Sequence, residues 1–265
     1  MKKRLKIAIV TGASSGMGRD FAREINQRFS SIDEIWLLAR RKDRLEKLAK
    51  ELDTPVRIIV TDLSKEDGTE KLKTLLHSVC PDIKILINCA GFGKYQDFEK
   101  ISYEDNIGMI KVNCMALTDI TYQALPFMHK KSIIINLASI AGFMPQPKFT
   151  VYAASKAYVL SFTRALRNEL KSRKIRVTAV CPGPVKTEFF GLAENKAEIM
   201  WYKKLIMVES KNVVKTAMND ALADKEISIY GAPMKILCLL EKIFPHKIIL
   251  NILNILNRKG TNEKK

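Results

Sequence analysis

The chain is poor in the side chains that build metal sites and disulfide frameworks. It has only three histidines and five cysteines in 265 residues, and no two cysteines stand in a Cys-x-x-Cys pair. Zinc sites take four such side chains at short, recurring spacings, so no metal site is predicted. An odd number of scattered cysteines is typical of a reducing compartment, and we therefore expect a cytoplasmic protein.

Long apolar runs are also absent. The basic start of the chain is followed only by Ile7-Ala-Ile-Val10, which is too short for the core of a signal peptide. Near the other end Pro245 interrupts an apolar run well before the roughly 20 residues that a membrane span needs. We expect neither a secretion signal nor a transmembrane helix.

Acidic residues are outnumbered, since 28 Asp and Glu face 45 Lys and Arg, for a formal charge of +17. Nucleic-acid-binding surfaces need basic residues clustered on one face or in one run. Here they are spread along the chain without a long basic run. We expect no nucleic acid as a partner, whereas peripheral contact with an anionic membrane stays open through the basic C-terminal segment.

What the chain does contain is a regular alternation of apolar runs and amphipathic spacers. The runs, rich in Ile, Val and Leu, cover residues 6–11, 34–39, 56–61, 83–88, 132–138, 175–181 and 227–230. Because most are apolar throughout, they are typical of strands covered by helices on both faces. The alternation predicts an α/β fold: a doubly wound, Rossmann-type sheet of seven mainly parallel strands flanked by helices.

We assign residues 1–232 to one dinucleotide-binding and catalytic domain, and residues 233–265 to a basic, amphipathic C-terminal extension. The extension reads as two short helices on either side of Pro245. Their apolar faces have three candidate uses: covering the substrate cleft, forming a subunit interface, or lying on a membrane surface.

A glycine-rich turn follows the first strand. Its sequence is TGASSGMG at 11–18, and an amphipathic segment begins at once. Glycines permit a tight turn and let a pyrophosphate approach the N–H groups at a helix N-terminus. A plain strand-to-helix turn is the alternative. The residues that we expect to bind a dinucleotide here are Gly12, Ser14, Ser15, Gly16, Met17 and Gly18.

The second strand ends in Ala39-Arg40-Arg41, without the carboxylate that would accept hydrogen bonds from a ribose 2′-hydroxyl. A guanidinium at Arg40 would instead pair with a 2′-phosphate. The sequence therefore favours NADP(H) over NAD(H), with Arg40 as its ligand. The alternative is that Arg40 and Arg41 are simply solvated.

Tyr152 and Lys156 stand four residues apart, hence on one face of a helix. A nearby ammonium is expected to lower the pKa of the phenol, which could then pass protons to or from a substrate oxygen. Ser139 follows an apolar strand and would hold the same oxygen. By itself a Tyr-x-x-x-Lys spacing is common and is usually just helix surface.

Taken together, these motifs give the chain a resemblance to the short-chain dehydrogenase/reductase family over residues 5 to about 231. The resemblance is carried by the glycine turn, Asp62-Leu63, Asn88-Cys89-Ala90-Gly91, Asn113, Ser139, Tyr152-x3-Lys156 and the loop Pro182-Gly-Pro-Val-Lys-Thr187, in this order. It implies a hydride transfer between a nicotinamide and a carbonyl or alcohol.

The resemblance also implies roles for individual residues. Asp62 and Leu63 would meet the adenine, and Asn88, Ala90 and Gly91 would pass close to the adenine ribose. Pro182, Gly183, Val185 and Thr187 would hold the nicotinamide carboxamide. Asn113 would fix a water in a proton relay through Lys156, and Lys156 and Tyr152 would also contact the cofactor. A homodimer or homotetramer is expected.

The substrate would be chosen by the segment 188–209, which is rich in large apolar residues. With Phe92, Tyr95, Phe143 and Met144 it would line an apolar pocket for a bulky ketone or secondary alcohol, such as a steroid, a bile acid or a lipid-derived carbonyl. Alternatively these residues close the core or a subunit contact. Two other functions stay open: a catalytically idle NADP-binding regulator, and a lipid carbonyl reductase at a membrane surface.

Overall fold

A computed structural model describes residues 4–189 and 207–243. Its strands are β1 Lys6–Thr11, β2 Glu34–Ala39, β3 Val56–Val60, β4 Asp82–Asn88, β5 Met128–Leu137, β6 Arg176–Val180, β7 Val185–Lys186, β8 Val208–Glu209 and β9 Ile227–Ser228. Its helices are α1 Gly16–Arg28, α2 Lys42–Ala49, α3 Glu70–Val79, α4 Tyr103–Ile110, α5 Leu117–Ala124, α6 Thr150–Glu169, α7 Ser210–Leu222 and α8 Ala232–Ile243. A π-helical stretch, Lys111–Ala116, joins α4 to α5.

Seven of the strands form one parallel sheet in the order β3-β2-β1-β4-β5-β6-β9. The predicted doubly wound fold is thus confirmed. The chain leaves β1 toward one edge of the sheet and returns at β4 to build toward the other edge. In open α/β sheets this reversal opens a crevice at the carboxyl ends of the strands, where ligands bind.

The apolar strands are buried on both faces, as their composition predicts. In β1, Ile7 and Ile9 belong to one core cluster and Ala8 and Val10 to the other, because successive side chains point to opposite faces. Helices α1 and α7 cover the cluster that contains Ala8 and Val10. Helices α3, α5 and α6 cover the cluster that contains Ile7 and Ile9.

The structure departs from the predicted boundaries where local geometry is irregular. Strand β5 begins at Met128 rather than at residue 132, and its register against β4 shifts between Ile83 and Ile85. The hydroxyl of Ser132 donates to the carbonyl of Ile83 at 2.7 Å and satisfies the bulge. Strands β7 and β8 pair over two residues each, too short a stretch for any sequence pattern to predict.

Helix α8 agrees with the first of the two helices predicted after the sheet, while the second lies outside the described residues. Among residues 4–189 and 207–243, no helix is long and apolar enough to cross a membrane. Cys238 of α8 is buried, but Ile236, Leu239 and Leu240 are exposed. The helix therefore packs on the domain with only part of its apolar surface.

A buried polar chain crosses the middle of the sheet. The Asn88 side-chain amide donates to Asn136 Oδ1 and to Thr121 Oγ1, both at 2.9 Å, and Asn136 Nδ2 donates to Thr163 Oγ1 at 3.0 Å. These contacts join two adjacent strands to α5 and α6. Buried polar groups stabilise a fold only while their partners remain.

We expect Asn136→Leu to lower the free energy of unfolding by about 1–3 kcal/mol, because it removes the acceptor of Asn88 and the donor to Thr163 in a buried layer. Urea denaturation would measure the loss. Gln27→Leu, which likewise replaces a side-chain amide by leucine but at an exposed position of α1, is the control and should be nearly neutral. Equal stabilities of the two variants would contradict the assignment.

Candidate active site

A cleft of about 1060 Å³ opens at the carboxyl edge of the sheet, at the reversal between β1 and β4. It brings together residues that are up to 225 positions apart, from Gly12 to Leu237. The predicted site residues that line it are Gly12, Ser14, Ser15, Gly16, Met17, Gly18, Arg40, Asp62, Leu63, Ala90, Gly91, Ser139, Tyr152, Lys156, Pro182, Gly183, Val185 and Thr187.

The glycine turn forms one end of this cleft. A Cβ on Gly18 would lie 2.3 Å from the carbonyl oxygen of Gly12, so the first turn of α1 packs directly on the backbone that precedes it. Helix α1 begins at Gly16, and its N-cap, Ser15, makes no side-chain capping hydrogen bond. Its first N–H groups therefore lack a side-chain acceptor at the cleft wall, which suits them to a pyrophosphate.

Asp62 stands farther along the same wall. Burial raises the pKa of its carboxyl, but hydrogen bonds from the Ser64 backbone and hydroxyl outweigh this and lower it, with help from the charge of Arg40. Both bonds fall on Oδ1. An ionised carboxylate with Oδ2 outside these bonds suits an amino group such as that of adenine.

Two predicted residues are not among those that line the cleft. Asn88 turns into the buried polar chain between the strands, so only the residues after it, Cys89 to Gly91, reach the wall. Asn113 lies in the π-helical stretch, accepts from the Phe92 N–H at 3.0 Å, and donates to the Phe92 carbonyl and the Ser155 hydroxyl at 3.0 and 2.9 Å. Its side chain anchors the loop after β4 on α6, and its part in a proton relay stays a prediction.

Tyr152 and Ser139 meet at the other end of the cleft. Tyr152 is 7% exposed, and its ring stacks on Phe149 with centroids 4.1 Å apart. Burial raises the pKa of the Tyr152 phenol to about 12, although a hydrogen bond with Ser139 acts in the lowering direction. In the protein alone the phenol is therefore neutral near pH 7 and able to donate a proton.

The pKa of the phenol is thus raised overall and not lowered as expected, because the effect of burial is larger than the effects that favour the phenolate. Lys156 Nζ lies 5.6 Å from the centroid of the Tyr152 ring and donates to the Leu137 carbonyl at 2.6 Å. Burial lowers the pKa of the ammonium to about 8, with nearby thiols, Cys89 first, opposing the shift. The ammonium is held beside the phenol and above the end of β5.

Large apolar side chains surround Tyr152. Of those predicted to form the pocket, Phe92, Tyr95, Met144 and Phe189 line the cleft, whereas Phe143 packs beside Arg164 instead. Met207 is not among the lining residues. The remaining predicted members, Phe190, Leu192, Ile199, Met200, Trp201, Tyr202, Leu205 and Ile206, lie outside the described residues.

Sequence reasoning missed Phe149, Met234 and Leu237, which also line the cleft. Phe149 stands three residues before Tyr152 at the N-cap of α6, so helical spacing could have found it. Met234 and Leu237 belong to α8. The Met234 side chain packs directly on Gly183 in the loop after β6, because a Cβ on Gly183 would lie 2.5 Å from the Met234 sulfur. One face of α8 therefore covers the cleft, one of the three uses left open.

Arg41 has contacts that the sequence analysis did not predict. Its guanidinium donates to the hydroxyl of Ser15 at 2.8 Å and to that of Ser14 at 3.1 Å. Arg40 also lines the cleft and is exposed. The end of β2 thus brings two cations to the part of the cleft beside the glycine turn.

A family model described as short chain dehydrogenase matches residues 6–198. The chain belongs to this family. The fold, the sheet order and the residues gathered in the cleft agree with an oxidoreductase of this family, and the resemblance found from the motifs is confirmed.

Two curated relatives show how the likeness is distributed. Serine 3-dehydrogenase of Agrobacterium fabrum is 37% identical over 186 residues, covering 68% of this chain and 72% of that protein. Sulfoacetaldehyde reductase 2 of Chromohalobacter salexigens is 38% identical over 190 residues, covering 69% and 74%. Among solved structures, a short-chain dehydrogenase from Sphingobium yanoikuyae in complex with NADPH is 27% identical, with a TM-score of 0.75 over 86% of this chain and 89% of that one.

Proposed function

We propose that the protein is an NADP(H)-dependent oxidoreductase that interconverts a ketone and a secondary alcohol. The observation that carries the proposal is the grouping of Ser139, Tyr152 and Lys156 at one end of a cleft whose other end is the glycine turn of α1. A dinucleotide extended between these ends would place its pyrophosphate at the glycine turn and its nicotinamide beside Ser139, Tyr152 and Lys156. The similar structure from Sphingobium yanoikuyae holds NADPH.

When bound, the nicotinamide would supply or accept the hydride. The Tyr152 hydroxyl donates a proton to the carbonyl oxygen during reduction, and the Ser139 hydroxyl holds that oxygen in place. The Lys156 ammonium stabilises the phenolate that remains, and it would also hydrogen-bond the ribose of a bound cofactor. Phe149 and the apolar residues around it keep water from the reacting atoms.

We expect Tyr152→Phe to lower turnover at least about 100-fold while leaving NADPH affinity nearly unchanged, because general acid catalysis contributes about 10²–10⁴ and the ring itself is retained. NADPH oxidation with a panel of ketones would measure turnover, and fluorescence titration would measure affinity.

Tyr158→Phe is the matched control for this variant. Tyr158 lies on the same helix, is 43% exposed and bonds Thr118 outside the cleft. It should keep wild-type turnover. Wild-type turnover in Tyr152→Phe on a good substrate would refute the mechanism, and no turnover by the wild type on any ketone would favour the idle NADP-binding regulator.

The two directions of the reaction should respond oppositely to pH. Reduction uses the neutral phenol and the Lys156 ammonium, so its kcat should be level below about pH 8 and fall above, where Lys156 loses its charge. Oxidation needs the phenolate, whose pKa burial holds high, so its kcat should rise with pH. Initial rates in both directions from about pH 6 to about pH 10 test this; a reduction rate that climbs above pH 8 would contradict it.

NADP(H) is the proposed cofactor because the adenine side of the cleft carries Arg40 and Arg41. We expect wild-type protein to prefer NADPH to NADH, and Arg40→Ala to reduce that preference by about 1–3 kcal/mol, the range of a hydrogen bond to a charged group. Affinities for both cofactors would be measured by titration. Arg23→Ala, which removes an arginine paired with Glu51 away from the cleft, should change neither; equal wild-type affinities would refute the preference.

A bulky hydrophobic ketone or alcohol, such as a steroid, a bile acid or a lipid-derived carbonyl, is the proposed substrate class. Its support is the wall around Tyr152, where Phe92, Tyr95, Phe149 and Met144 meet two residues of α8. The names of the two curated relatives point to small polar substrates instead. Assays with a steroid ketone, serine and sulfoacetaldehyde would separate these classes.

We also propose that the protein self-associates as a homodimer or homotetramer in the cytoplasm. Met115 and Tyr122 are 60% and 76% exposed along the helices that follow β4. All five cysteines are free, as in a reducing compartment. The exposed apolar residues of α8 are open to two uses, a contact between subunits or peripheral contact with a membrane.

A further inference from the structure

Glu188 bridges two arginines at the adenine side of the cleft. One of its oxygens accepts from Arg41 Nη1 at 2.8 Å, and the other accepts from Arg44 Nη1. These hydrogen bonds, from Arg41 first, hold the pKa of the Glu188 carboxyl below its usual range. The acid is therefore a carboxylate across the neutral pH range and carries a full negative charge at this wall.

The position of Arg41 makes this pairing relevant to the cofactor. Its Nη2 group is committed to the hydroxyls of Ser14 and Ser15 in the glycine turn, and its Nη1 group to Glu188. A nucleotide whose pyrophosphate lies at that turn places its adenine ribose toward the end of β2, where Arg40 and Arg41 stand. An anion on the ribose would thus meet the guanidinium that Glu188 already neutralises.

Arg40 offers a contrast. It lines the same wall but takes part in no ion pair within the part of the chain that the structure describes. A 2′-phosphate would pair with Arg40 without displacing a carboxylate. To pair with Arg41 as well it must replace Glu188, because two anions on one guanidinium face repel each other.

We propose that Glu188 is an internal counter-ion that competes with the 2′-phosphate of NADP(H) for Arg41. The inference rests on the proposed use of NADP(H) and adds a residue that reduces affinity for it. Binding of NADP(H) exchanges the carboxylate for the phosphate, whereas NAD(H) leaves the pair intact.

The test compares NADPH and NADH affinities of the wild-type protein and Glu188→Gln by fluorescence titration at low ionic strength. We expect Glu188→Gln to bind NADPH on the order of threefold to fivefold more tightly, the range of an exposed ion pair, with NADH affinity changed less than about twofold. Glu51→Gln is the matched control, because Glu51 is a half-exposed carboxylate paired with Arg23 away from the cleft; it should alter neither affinity.

A double-mutant cycle identifies the group through which Glu188 acts. The tightening by Glu188→Gln should largely disappear in an Arg41→Ala background. Unchanged or weaker NADPH binding by Glu188→Gln, or an equal change for NADH, would overturn the inference and leave Glu188 a structural contact. Equal NADPH and NADH affinities in the wild type would refute the proposed cofactor preference instead, and selective tightening in Glu188→Gln would still support competition.

Discussion

The hydroxyl of Thr11 joins the two halves of the sheet at the point where the cleft begins. It accepts hydrogen bonds from the backbone N–H groups of both Cys89 and Ala90, each at 3.0 Å, and so links the end of β1 to the residues that follow β4. A Cβ on Gly12 would lie 2.9 Å from the Cα of Ala90, and the backbone of Gly12 has a positive φ of 67°. Only glycine suits both conditions.

The position of the cofactor wall follows from this close approach. Gly12 lies against Ala90, and α1 begins four residues later with its N-terminus at the cleft. The end of β2 then supplies Arg40 and Arg41 on one side, and β4 supplies the loop to Gly91 on the other. This end of the cleft is thus arranged by the packing of backbone against backbone.

The opposite end depends on burial of charge. Lys156 lies among strand ends and thiols with the Leu137 carbonyl as its hydrogen-bond acceptor, and Tyr152 lies between aromatic rings. Burial favours the neutral form of each group. It therefore lowers the pKa of the Lys156 ammonium and raises the pKa of the Tyr152 phenol. Near neutral pH the phenol is therefore protonated, whereas the ammonium loses its proton more readily than an exposed lysine would.

Local sequence chemistry was sufficient for the fold and for most of the candidate site. The apolar runs predicted the seven strands because parallel strands covered on both faces have no polar face to alternate with. Gly12, Gly16 and Gly18 predicted the turn because backbone geometry there admits few other residues. Tyr152 and Lys156 were found because helical spacing alone places them side by side.

Other features were decided only by tertiary packing. The motifs placed Asn88 and Asn113 at the cofactor site. In the structure the side-chain amide of Asn88 donates to Asn136 on the neighbouring strand, and that of Asn113 donates to Ser155 on α6. The phenol pKa depends on how deeply Phe149 and Phe189 bury the ring, which no spacing records.

The sequence by itself determined the individual strands, the glycine turn and the Tyr152–Lys156 pair, since each depends on residues close together along the chain. Tertiary structure alone decided that Arg41 meets Glu188, 147 positions away, and that Met234 covers Gly183. Such contacts depend on the relative placement of whole elements. Their geometry is set by the packing of the sheet and its helices. Because this packing joins segments that are distant along the chain, it produces no periodic pattern in the sequence of either segment.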